Sequence, residues 1–218
     1  MIRAHVALED ALILEFGCGN GLYASQFRRR FTDRVEAFDI EPERVAEAQA
    51  DTPNALVAAG EHLPYASDRF DLVFSNEVIE HVQDDRASAA EMVRVTRVGG
   101  KVLLFCPNRW YPFETHGHYW RGQYHFGNTP LLNYLPDVLR NRLAPHVRAY
   151  TAGQIQAVFA GQPVKIVAHT RIFGGYDNIA RRLPRLGPLL RSALYGLEAT
   201  PLRVFGLSHL LVLEKTSQ

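Results

Sequence analysis

Apolar and polar positions alternate along the first half of the chain in two rhythms. Short, nearly unbroken apolar runs recur at ALILEF (residues 11–16), VEAFDI (35–40), NALVAA (54–59), FDLVFS (70–75) and KVLLFC (101–106). Runs of this length, bounded by Gly, Pro and polar residues, predict strands covered on both faces. Between them lie stretches with helical spacing: Asn20 to Phe31, Glu41 to Ala50 with Pro42 in its first turn, and one near Asp85–Thr96. Strands alternating with helices predict an open parallel sheet between helical layers.

The rhythm breaks after Pro107. Residues 107–150 read as an aromatic, loop-like insertion with Trp110, Tyr111, Phe113, Tyr119, Trp120, Tyr124 and Phe126. Thr151 then caps a short helix to about Phe159, VKIVAHT (164–170) forms a sixth strand, and SHLLVLEK (208–215) a final one. Residues 174–204 separate these two strands. Two late strands joined by an excursion predict a long hairpin, with the last strand antiparallel. A length of 218 residues suits one domain, 1–218, with these insertions as decorations.

Composition narrows the class. Hydrophobic residues at 47% and charged residues at 22% exclude disorder, collagen and coiled coil. Cys18 and Cys106 are too few for a disulfide framework or a four-sulfur zinc site. No apolar run nears the roughly 20 residues of a membrane span, and the N-terminal residues lack a signal-peptide layout, so a cytoplasmic location is expected. The net charge of +1 hides a division: residues 1–106 carry 11 Lys/Arg against 18 Asp/Glu, and residues 107–218 carry 13 against 5. An acidic half fits a cationic ligand, and a basic half an anionic acceptor or surface.

The densest chemical signal is Ile13-Leu14-Glu15-Phe16-Gly17-Cys18-Gly19-Asn20-Gly21. A buried strand that ends in a Gly-rich turn and opens a helix is where such sheets bind ligands. The spacing of dinucleotide sites would put a third glycine at Leu22, whereas the glycine here is Gly21. Glu15 places a carboxylate where a pyrophosphate would lie, repelling phosphate and attracting an ammonium or sulfonium. Asp39, which ends the second run, offers two oxygens to a vicinal ribose diol and opposes a 2′-phosphate. A nicotinamide oxidoreductase is thereby disfavoured.

Taken in order, the EFGCGNG turn, Asp39, GEHLPYASDRFDLVFSNEVIEHV and EMVRVTRVGGKVLLFCPN resemble the class I S-adenosylmethionine-dependent methyltransferases, in the type 11 or ubiquinone-type group. The resemblance covers residues 12–107. It implies an α/β, three-layer Rossmann-like sheet of seven strands with the last antiparallel, and insertions after strand 5 and between strands 6 and 7. It implies S-adenosylmethionine as cofactor, held by residues 1–106. Glu15, Gly17, Cys18, Gly19 and Gly21 would lie around its methionine part, Asp39 and Ile40 at the ribose, Glu61 and His62 beside the adenine, and Asn76 at the methionine side. Many members have Asp at the position of Ala59 and cover the cofactor with N-terminal helices. Here the adenine acceptor falls to Glu61, backbone or water, and a lid falls to residues 107–150.

Methyl transfer asks mainly that the reacting atoms be aligned, plus a base where the acceptor is a hydroxyl. Glu77, Glu80 and His81 would share one face if that stretch were helical, which makes Glu80 and His81 the catalytic candidates. Three roles stay open for His81: a structural hydrogen bond, a general base, or a ligand of a divalent metal completed by His116 or His118, as in some 2′-O-methyltransferases of small RNA. The reading is an S-adenosylmethionine-dependent O-methyltransferase acting on a small-molecule, lipid-linked or saccharide hydroxyl. A non-catalytic cofactor-binding subunit and a metal-dependent RNA 2′-O-methyltransferase are the alternatives, although no nucleic-acid-binding motif accompanies the basic residues. Within 174–204, Arg181, Arg182, Arg185, Arg191 and Arg203 face only Asp177 and Glu198, beside an apolar stripe of Leu189, Leu190, Ala193, Leu194 and Leu197. That pattern fits a peripheral contact with an anionic membrane, and equally a helix packed on its own sheet or in a dimer.

Overall fold

The computed structural model describes residues 2–176, 181–182, 184 and 186–217. Asp177 and Arg185 of the charged insertion lie outside the described residues. The first half builds β1 (Ile13–Phe16), α1 (Leu22–Arg30), β2 (Val35–Asp39), α2 (Pro42–Ala48), β3 (Ala55–Val57), β4 (Phe70–Asn76), α3 (Asp85–Val95) and β5 (Thr96–Pro107). Each predicted strand is present. The first helix starts two residues later than the sequence suggests, because Gly21 takes a left-handed φ of 80° as its N-cap. Strand β5 starts earlier than Lys101 and carries an irregularity in its pairing with β4 between Phe70 and Leu72.

The second half contributes β6 (Phe113–Glu114), β7 (His118–Trp120), β8 (Gln123–His125), β9 (Thr129–Pro130), α4 (Asp137–Leu143), α5 (Ala152–Val158), β10 (Val164–Ile172), α6 (Gly187–Leu197) and β11 (Ser208–Lys215). The expectation that 107–150 is loop-like is therefore corrected. Its glycines and aromatics break any long period, yet they leave two antiparallel ribbons, β6 with β9 and β7 with β8, and a helix.

Seven strands form one sheet in the order β10-β11-β5-β4-β1-β2-β3, with β11 antiparallel to β10. Ile13 of β1 pairs with Val35 of β2 on one side and Leu72 of β4 on the other, all parallel. Ile13, Leu14, Phe16, Leu72, Val73, Leu103 and Leu104 are fully buried, as strands sandwiched between helices require. Asp84 caps α3, its carboxylate accepting from Arg86 and Ala87 N–H.

The chain divides into two compact units, the first containing residues 1–105, 155–169 and 211–218 and the second 106–154 and 170–210. The first holds the sheet. At one end of it Lys215 Nζ donates to Asp68 and to the Arg94 and Thr96 carbonyls, which satisfies a nearly buried ammonium. The second unit is organised around a buried ion pair: Arg140 Nη2 donates to Glu114 Oε2 at 2.7 Å, with both side chains about 2% exposed or less. Arg140 also donates to Asn133 and to the Val147 carbonyl, and Glu114 accepts from His116 N–H. Burial pushes the Glu114 carboxyl up, but the His116 and Arg140 partners outweigh it and hold it below the ordinary value. Among the described residues no helix is long and apolar enough to cross a membrane.

Candidate functional site

In this strand order the chain direction of assembly reverses between β1 and β4. A crevice therefore opens beyond the carboxyl ends of β1, β2 and β4, where open α/β sheets hold ligands. A cleft of about 700 Å³ lies there, within the first unit. Glu15, Gly17, Cys18, Gly19, Asp39, Ile40, Glu61 and Asn76 all line it. Gly21 is the N-cap of α1, and His62 belongs to a turn in which its N–H donates to the Ala59 carbonyl at 3.1 Å. Neither of these two is among the residues lining the cleft.

The glycine turn is fixed by close approach as well as by φ. Gly17 has φ 72°, and a Cβ there would stand 2.6 Å from the Val78 methyls, so the turn and the segment after β4 exclude any side chain. Asp39 holds the same turn from β2: Oδ2 accepts from Gly19 N–H at 2.7 Å and Oδ1 from Glu41 N–H at 3.0 Å. A carboxylate accepts about four hydrogen bonds, so these two leave capacity for a vicinal diol.

Glu15 is 2% exposed and its Oε2 accepts from Ala24 N–H at 2.6 Å, inside the first turn of α1. Burial pushes its carboxyl up to about 8; the Ala24 N–H opposes that rise and the Asp39 charge adds to it. A cation in the cleft would draw the group back to its charged form. Cys18 has its thiol pushed up to about 12 by burial and by the Glu15 and Asp39 carboxylates. It is held as a neutral thiol and is no nucleophile.

The Glu77–His81 segment differs from its sequence reading. Glu77 adopts φ 55°, and the segment runs as a turn in which His81 N–H donates to the Val78 carbonyl at 2.9 Å. A left-handed residue cannot continue a right-handed helix, so the three acidic and imidazole groups do not share a helical face. Glu77 and His81 line the cleft, whereas Glu80 is 1% exposed and outside the lining, with Oε1 3.8 Å from His81 Nε2. Within the first unit the carboxylate thus backs the imidazole. His116 and His118 belong to the second unit, where His116 Nδ1 is 3.0 Å from Glu114 and His118 Nδ1 is 2.8 Å from Thr129 Oγ1.

The cleft also recruits residues that sequence reasoning did not single out. Tyr23, Arg44 and Gln83 line it. Burial and the Glu15 and Glu77 carboxylates raise the Tyr23 phenol, keeping it neutral. Arg44 Nε pairs with Glu41 at 2.7 Å. Gln83 and Asp84 donate their backbone N–H groups to Glu61 Oε1 at 2.8 and 3.1 Å, which ties the loop before α3 to the wall of the cleft. The lining thus sets five carboxyl side chains (Glu15, Asp39, Glu41, Glu61 and Glu77) against one arginine. That balance favours a cationic ligand.

Residues 14–104 match the family model described as a methyltransferase domain. A malonyl-[acyl-carrier protein] O-methyltransferase of Hamiltonella defensa is 38% identical over 99 residues, which is 44% of this chain and 38% of that one. One of the same name from Hahella chejuensis is 36% identical over 42% of this chain and 34% of its own. The chain thus spans well under half the length of these relatives. Among solved structures, an S-adenosylmethionine-dependent methyltransferase from Mesorhizobium loti superposes with a TM-score of 0.65 at 16% identity, covering 98% of this chain and 95% of that one. The geranyl diphosphate C-methyltransferase of Streptomyces coelicolor superposes with a TM-score of 0.60 at 14% identity, covering 97% and 72%. The matched segment holds the glycine turn, Asp39 and the acidic cleft, and over that length it is similar to the methyltransferase domain family.

Proposed function

We propose that the whole protein is an S-adenosylmethionine-dependent methyltransferase that transfers methyl to oxygen. The observation that carries this reading is the acidic cleft at the switch point of the sheet, with a side-chain-free turn at Gly17 and the Asp39 carboxylate in its wall. S-adenosylmethionine supplies an already activated methyl group when bound. Asp39 would hold the ribose hydroxyls, Glu61 and Gln83 would flank the base, and Glu15 and Asn76 would face the cationic methionine end. His81 serves as the base that takes the proton a hydroxyl loses as it is methylated. Buried Glu80 stands behind the imidazole and stabilises the positive charge it acquires.

Oxygen as the accepting atom is supported by the relatives named as malonyl-[acyl-carrier protein] O-methyltransferases. The excess of basic residues in 107–218 supports an anionic acceptor, or one presented at an anionic surface, with a lipid-linked molecule the favoured class. Calorimetry tests the cofactor directly. S-adenosylhomocysteine is expected to bind and NAD to give no heat; equal affinity for the two overturns the reading.

A further inference from the structure

The second unit contains a pocket of its own, about 300 Å³, lined by side chains of Tyr, Pro, Phe and Leu alone. Tyr111, Phe113 and Phe173 form one part, Leu194 of α6 another, and Leu202 and Phe205 the remainder. Its two hydroxyls, those of Tyr111 and Tyr176, stand 3.4 Å apart and face each other. The interior therefore offers water almost nothing to bond, and a cavity of that kind stays dry or takes an apolar guest. The volume is at the lower end for small-molecule sites, enough for a flexible chain rather than a polycyclic ligand.

Two arginines and one carboxylate border the pocket, and the carboxylate, Glu198, already accepts from Phe173 N–H at 2.8 Å. Arg203 stands in the same turn as Leu202 and Phe205, and Arg171 lies two residues before Phe173. Among the described residues neither guanidinium has a carboxylate partner, and Arg171 Nε is buried without an acceptor. Burial lowers Arg171, and the neighbouring Arg203 charge lowers it further. Holding the partly buried Arg171 beside an apolar pocket costs free energy that an anionic group would return, and the exposed Arg203 adds a second positive charge nearby. The apolar surface also continues outward along α6, where Leu189 is 67% exposed.

We propose that this pocket binds the hydrocarbon chain of a single-chain anionic amphiphile, whose headgroup is met by Arg171 and Arg203. The site lies wholly in residues 106–154 and 170–210, outside the matched methyltransferase segment, and its occupancy does not depend on the cofactor reading.

Calorimetric titration of the full chain with hexyl, octyl and decyl phosphate, each below its micelle concentration, tests it. Each added pair of methylenes should tighten binding about tenfold until the pocket is filled. Decyltrimethylammonium should bind at least tenfold more weakly than decyl phosphate. Leu194→Trp should remove the dependence on chain length. The double substitution Arg171→Gln with Arg203→Gln should keep that dependence and lose the preference for phosphate over ammonium. Thermal melts verify that each variant is folded, and Leu202→Trp replaces Leu194→Trp should the latter melt early. Absent binding, affinity independent of chain length, equal affinity for the ammonium, or wild-type affinity in the folded tryptophan variant each overturns the proposal.

Discussion

The cleft of the first unit and the pocket of the second are opposites in how they are made. Five carboxyl side chains line the cleft, and the atoms that shape it are largely backbone: the Gly17–Gly19 turn, the Gln83 and Asp84 N–H groups, the first turn of α1. The pocket is shaped by carbon from segments 111–113, 173–176, 190–197 and 202–205. Charge differs in the same sense. In the cleft Glu15, Asp39 and Glu61 accept from backbone N–H groups, whereas the main carboxylate of the second unit, Glu114, is paired with Arg140. The backbone of the cleft is fastened by several separate carboxylates, whereas the second unit has one buried pair whose loss leaves a charge unpaired.

That contrast is broken most forcefully at Arg140. Arg140→Ala leaves Glu114 buried and unpaired, and should cost about 3–5 kcal/mol in urea unfolding, while the double change of Glu114→Leu with Arg140→Met recovers most of it. A cost below about 1 kcal/mol would show that the pair organises nothing. Next in size is Asp39→Ala, which should weaken S-adenosylhomocysteine binding by roughly 1.5–3 kcal/mol, read by calorimetry, with a smaller effect on the melting temperature. A loss of folding comparable to the loss of binding would mean that Asp39 serves the Gly19 turn and not a ligand.

The smallest effect is electrostatic. With Glu15 pushed up to about 8, a cation in the cleft binds its charged form and releases a proton below that pH. Affinity for S-adenosylmethionine should therefore fall a few-fold as pH drops from about 8 to about 6. The ligand's own amino group titrates identically against Glu15→Gln, so the difference between the two proteins isolates Glu15. Parallel profiles would place the cofactor's charge elsewhere.

What was legible in the sequence follows the same division. Strands β1 and β4 and the later part of β5 are buried on both faces, so they appear as apolar runs, and Gly17, Gly19 and Asp39 stand at fixed distances from strand ends. The turn at Glu77 was not legible, because a left-handed glutamate carries no compositional mark and the spacing of Glu77, Glu80 and His81 imitates a helix. Tyr23, Arg44 and Gln83 join the cleft through folding rather than motif. In residues 107–150 the ribbons have only two or three residues per strand, too short for a period of two to register. The pocket was invisible for another reason: Tyr111 and Phe205 read as separate aromatics until the chain brings them together.

The position of β11 has a consequence for synthesis. It lies between β5 and β10, so β10 reaches the sheet only through a strand made after it. Residues 173–207 are translated in between, a delay of roughly a few seconds at about 5–20 residues per second. Throughout that interval β5 presents an unpaired edge and β10 has no neighbour, the condition in which nascent chains pair with one another. Expression yield should therefore respond to translation speed across residues 173–207, and a faster passage should favour the soluble product.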